Sequence, residues 1–168
     1  LQADVQRSWA GCGEDEASQL FPLKAAVAAR RPGGGGRLTI YCVEEQPLAF
    51  TDDRGSLFPS IFALWRFPGL VPSLLVAPQV SKFLCGGADL FAQGVQRSAS
   101  PPPLGTVASV VIVGNPAPFA VGLTCDKDGK ALEVLHVMGD SLWTSGGCTV
   151  PNAGFARDLV SPIGDPAV

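Results

Sequence analysis

Side chains able to carry out chemistry are few in this chain, and they lie far apart. Five cysteines, Cys12, Cys42, Cys85, Cys125 and Cys148, form no Cys-x-x-Cys pair, so neighbours in sequence supply neither a zinc site nor a dithiol redox centre. His136 is the single histidine. Leu135 and Val137 flank it in an apparent strand, and no Gly-x-Ser-x-Gly elbow accompanies it, so it reads as a packed strand residue rather than a general base. Gly33 to Gly36 lack the Lys-Ser/Thr that completes a phosphate-binding loop and read as a flexible turn. Asp52 and Asp53 are adjacent acids with no third ligand at metal-loop spacing. Trp9, Trp65 and Trp143 could stack on bases, but Trp65 lies on an apolar helical face and Trp143 follows the last strand, where an aromatic closes a barrel end. The expectation is of no enzyme, no catalytic residue, no metal and no cofactor.

The remaining chemistry is binding. With 12 basic and 15 acidic residues the formal charge is −3, so any contact with nucleic acid must come from a local patch, and Arg30, Arg31, Arg37, Arg66, Lys82 and Arg97 are its candidates. No apolar run approaches the roughly 20 residues of a membrane span. Scattered, odd-numbered cysteines fit a reduced, cytoplasmic chain. The sequence starts at Leu1, not Met, as a piece of a longer protein would.

The elements that would position such a patch are short. Hydrophobic residues make up 46% of the chain, enough for a core, and 20 Gly with 15 Pro favour many turns and strands, hence an α+β fold. LQADVQRSW and EDEASQLF read as small helices, and RLTIYCVE and PLAFT as a hairpin turning at Glu44-Glu45-Gln46. LFPSIFALWRF reads as one buried helix with Leu57, Ile61, Leu64 and Trp65 on its inner face, and extended SLLVAP follows. QVSKFLCGG reads as a helix burying Val80, Phe83 and Leu84, with Lys82 opposite and Gly86 as its stop. ADLF, VASVVIV, FAVGLT and ALEVLHVM read as four strands of a small β-barrel.

GGADLFAQGV resembles the helix-to-strand signature of PUA domains. Gly86 and Gly87 permit a tight turn, Ala88 leaves room for close approach, and the exposed amides suit an RNA backbone. DRGSLFPSIFALWRFPGLVPSLLV resembles the segment that precedes the PUA domain in the family shared by ligatin (translation initiation factor 2D) and the malignant T-cell-amplified-sequence protein, and VIVGNPAPFAVG and LEVLHVMGDSLW resemble the ligatin branch in particular. The similarity runs in order from about Ala3 to Trp143. It implies a pre-PUA α+β domain over residues 1–77, a PUA-type pseudo-β-barrel over 78–144 and a linker over 145–168 toward further domains.

The resemblance further implies a non-enzymatic role on the small ribosomal subunit, in initiator-tRNA delivery or post-termination recycling. Partners would be small-subunit ribosomal RNA, tRNA and ribosomal proteins, with no membrane. The expected RNA-binding residues are Lys82, Gly86, Gly87, Ala88, Asp89, Gly94 and Arg97. Gln93 replaces the family's Pro before Gly94, and CDKDGK replaces a longer connection between two strands. The basic N-terminal segment of relatives is also absent. Two alternatives remain: the RNA-targeting PUA domain of an RNA-modifying enzyme, and a protein-binding adaptor, which the net acidity favours.

Overall fold

A computed structural model of the chain describes residues 1–33, 36–98 and 100–152. It opens with two short helices, α1 (Gln2–Ser8) and α2 (Glu14–Leu20). Glu14, Asp15 and Glu16 place negative charge at the positive end of α2, and Glu16 accepts the Gly13 N–H at 2.9 Å. A four-stranded antiparallel sheet follows in the order β1 (Val27–Arg30), β2 (Thr39–Val43), β3 (Gln46–Thr51), β4 (Leu57–Pro59). The β2–β3 turn places Glu44 at φ 50° and Glu45 at φ 68°, the two left-handed positions that a two-residue hairpin needs to match strand twist.

The stretch expected as one helix from Leu57 divides in two. Leu57 to Pro59 pair with β3, and only then does α3 (Ile61–Arg66) begin. Ser60 causes the break. Its hydroxyl accepts the Ala63 N–H at 3.2 Å as an N-cap and donates to the Pro47 carbonyl at 2.8 Å, so it is satisfied while fully buried. Pro59 is tolerated because β4 is an edge strand. β1 was not foreseen, since its small side chains carry no buried periodicity; it exists through its backbone pairing with β2.

The second sheet has the order β5 (Ser73–Val76), β7 (Val107–Ile112), β8 (Asn115–Thr124), β9 (Lys130–Val137), β6 (Leu90–Phe91), with α4 (Pro78–Cys85) between β5 and β6. The four expected strands are present, and the extended SLLVAP, on the near side of residue 77, pairs in parallel with β7. An antiparallel bridge between Val76 and Val95 and a 2.8 Å bond from the Gln96 N–H to the Leu75 carbonyl bring the two sheet edges together. The result is α+β with a curled, barrel-like sheet. CDKDGK closes the β8–β9 connection through a single tight turn at Lys127–Gly129.

One buried apolar cluster spans both sheets, from Trp9, Leu48 and Phe58 to Val110, Phe119 and Leu132. α3 packs on β8, and the Trp65 indole donates to the Pro118 carbonyl at 2.7 Å across the seam. A last helix, α5 (Ser141–Ser145), is capped by Asp140. Trp143 is buried as expected. The chain after Ser145 stays attached as far as Asn152: Trp143 Nε1 donates to the Thr149 carbonyl at 2.9 Å, and the side-chain amides of Asn115 and Asn152 bond reciprocally at 3.1 and 3.2 Å. The part of the expected linker beyond Asn152 lies outside the described residues, as do Gly34 and Gly35. Among the described residues no helix is long and apolar enough to cross a membrane.

Candidate nucleic-acid interface

α4 starts at Pro78, whose missing N–H costs nothing in a first turn, and ends in a glycine turn. The Gly86, Gly87 and Ala88 N–H groups bond the carbonyls of Lys82, Leu84 and Phe83 at 3.0–3.1 Å, which occupies three of the last turn's four acceptors. Gly87 sits at φ +99°, where a side chain would strain the backbone. The turn is thus a helix stop whose exposed glycines also leave its surface open.

The buried face of α4 differs from the expected one. Leu84 is 1% exposed and Val80 half-buried, but Ser81 is fully buried and Phe83 is 58% exposed. Ser81 can turn inward because its hydroxyl donates to the Pro78 carbonyl at 2.6 Å, one turn back. Phe83 then shares the outer face with Lys82, whose Nζ stands 5.0 Å from the ring centroid.

A cleft of about 350 Å³ lies between α4 and β6, walled by Val80, Phe83, Leu84, Ala88, Asp89, Leu90, Phe91, Gln93 and Gly94. Phe91, 43% exposed, is paired in register with Lys130 on β9. Asp89 is turned onto β9: one oxygen accepts the Val134 N–H at 2.9 Å and the other lies 2.9 Å from Lys130 Nζ. The hydrogen bond and the charge of Asp89 raise the Lys130 ammonium above the usual lysine range, so it stays protonated.

Of the expected RNA-binding residues, Lys82, Gly86, Gly87, Ala88, Asp89 and Gly94 gather around this cleft and its turn. Arg97 lines a separate groove of about 590 Å³ with Leu75, Pro101, Leu104 and Cys125. The other cations lie elsewhere: Arg66 bonds the Gln19 carbonyl at 2.9 Å, while Arg30 ends β1 and Arg31 and Arg37 fall between β1 and β2. Phe83, Phe91 and Lys130 were not anticipated. For Phe91 a signal existed, because in Leu90-Phe91 strand alternation sends one side chain in and the next out.

The other residues weighed for chemistry are occupied structurally. His136, 1% exposed, is held at 2.7 Å from Nδ1 to Asp140 Oδ2 and meets the Phe50 ring edge-on at 5.7 Å. Its Nε2 has no hydrogen-bond partner among the described residues, so no nucleophile–base pair is formed there. All three indoles donate to backbone carbonyls, Trp9 to Leu57 at 3.0 Å. Cys12, Cys42, Cys125 and Cys148 are free thiols, and among the described residues no three His, Cys, Asp or Glu side chains are grouped to hold a metal ion.

Comparison with known proteins matches this arrangement twice. A pre-PUA-like domain model matches residues 1–68, and a model of the PUA domain of eIF2D matches residues 71–141. The chain is 32% identical over 167 residues to eukaryotic translation initiation factor 2D of Mus musculus, covering 91% of this chain but 29% of that protein. It thus spans under a third of the curated relatives it matches at that identity. Translation machinery-associated protein 20 of Saccharomyces cerevisiae is 24% identical over 144 residues, 77% of this chain and 78% of its own. In fold, the chain is similar to the crystal structure of a hypothetical protein from Pyrococcus horikoshii OT3, with a TM-score of 0.69 at 21% identity over 88% of this chain and 97% of that one.

Proposed function

The chain belongs to the pre-PUA and PUA family that includes eukaryotic translation initiation factor 2D, and we propose that it is a non-enzymatic, cytoplasmic RNA-binding module of translation. The PUA half binds RNA at the α4–β6 cleft, and the pre-PUA half orients it against the small ribosomal subunit, in initiator-tRNA delivery or post-termination recycling. Its partners are small-subunit ribosomal RNA, tRNA and neighbouring ribosomal proteins, with further domains of a longer chain acting beside it.

One observation supports this reading above the others: two exposed aromatic rings, Phe83 and Phe91, wall one cleft, with Lys82 over the first ring beside the open glycine turn, in an otherwise acidic protein. The rings suit unstacked bases, and Lys82 suits a phosphate beside them. The test is binding of initiator tRNA and of small subunits across a salt series. Lys82→Glu is expected to weaken binding and lower the salt slope by about one unit, whereas Phe83→Ala is expected to cost about 1–3 kcal/mol at an unchanged slope. If both variants stay folded and bind like the parent, the RNA reading fails and the adaptor reading, favoured by the net charge of −3, replaces it.

A further inference from the structure

The pre-PUA sheet has one open side. β4 is covered by α1 and α3, but β1 at the other edge has no partner beyond β2 among the described residues, and all four of its side chains are exposed. A strand bare on both faces and along one edge gains almost nothing from burial. In an antiparallel pair, alternate residues point their N–H and C=O groups away from the partner, so β1 offers a row of donors and acceptors at strand spacing.

Charge is concentrated at the same place. Between Pro22 and Leu38 the sequence holds Lys24, Arg30, Arg31 and Arg37 and no acid, in a chain whose net charge is −3. Arg30 is paired with Glu45 across the sheet, while Lys24, Arg31 and Arg37 are exposed and make no ion pair among the described residues. Those three cations face solvent, open to carboxylates supplied from outside.

We propose that β1 is a docking edge for an extended acidic segment of a partner protein, which adds to the pre-PUA sheet as a fifth strand and sets its carboxylates against Lys24, Arg31 and Arg37. A peptide strand matches the N–H and C=O groups together at strand spacing, whereas phosphates only accept hydrogen bonds and leave the carbonyls to solvent. A second copy of this chain is disfavoured. Two β1 strands pairing antiparallel about their centre would set Arg30 opposite Val27 and bring both sets of cations to one seam. The site is independent of the α4–β6 cleft, so either can fail without the other.

The test uses the isotope-labelled chain and an end-capped peptide of about ten residues alternating glutamate with valine and threonine, a length that spans the strand and its flanks. Saturable shifts and slowed hydrogen exchange at β1 amides are expected, and Arg31→Glu with Arg37→Glu should weaken binding about tenfold while Arg31→Lys with Arg37→Lys keeps it. A matched peptide with lysine in place of glutamate should not bind. The idea is overturned if the acidic peptide leaves the β1 amides unmoved, or if charge reversal leaves the affinity unchanged. Equal shifts with a uridine oligomer of the same charge would make this edge a nucleic-acid face. Protection that grows with protein concentration alone would make it a self-association face.

Discussion

The Asp140 carboxylate accepts three hydrogen bonds: the Trp143 N–H at 2.9 Å, the Val137 N–H at 3.0 Å and Nδ1 of His136 at 2.7 Å. Burial pushes this carboxyl up, but the hydrogen bond and charge of His136, with the two backbone donors, outweigh it and hold the group below the usual carboxylate range. The unfolded chain therefore binds the proton more tightly than the folded one. The stability involved is fully present above the unfolded value of about 3.9 and is lost as pH falls toward the lowered folded value. Asp140→Asn is expected to cost about 1–3 kcal/mol at neutral pH, with a gap to the parent that narrows below pH 4, in urea melts at the two pH values. That His136 is packed was legible from its apolar strand neighbours. Its partner was not, because Asp140 does its work as the cap of a five-residue helix too short to show periodicity.

Among elements, the β2–β3 hairpin carries local strain. Glu44 and Glu45 both occupy left-handed backbone, a cost of about 1 kcal/mol or more per residue that Asn-Gly would largely remove. Replacing the pair by Asn-Gly is expected to raise stability by about 1 kcal/mol in thermal melts, since the exposed Arg30–Glu45 pair that is lost contributes little. β8 and β9 show the opposite constraint. At their bulge a Cβ on Gly122 would overlap the Glu133 carbonyl, so Gly122→Ala is expected to cost about 1–3 kcal/mol by forcing the strands apart. Apolar, β-branched runs bounded by glycine, proline and aspartate turns made β7, β8 and β9 legible in the sequence. Pattern failed at Leu57 and at Phe83, where a buried serine, satisfied by a nearby carbonyl, outweighed the apolar spacing that suggested otherwise.

At the scale of the whole molecule the two halves share a core, and their seam was invisible in the sequence because it depends on which surfaces meet. Gly146, just past α5, lies so close to Phe62 of α3 that a Cβ would overlap its ring. Together with the Trp65–Pro118 bond, this closeness predicts a single unfolding transition, with tryptophan fluorescence and far-ultraviolet circular dichroism coincident. Gly146→Val should lower stability by about 1–3 kcal/mol and separate the two signals. The paired amides of Asn115 and Asn152 moor the outgoing chain at one end of β8, whereas Phe91 and Lys130 lie toward its Thr124 end. Nine residue steps along that strand come to about 30 Å, so a cargo tethered after Asn152 by fewer than about nine extended residues cannot swing over the cleft.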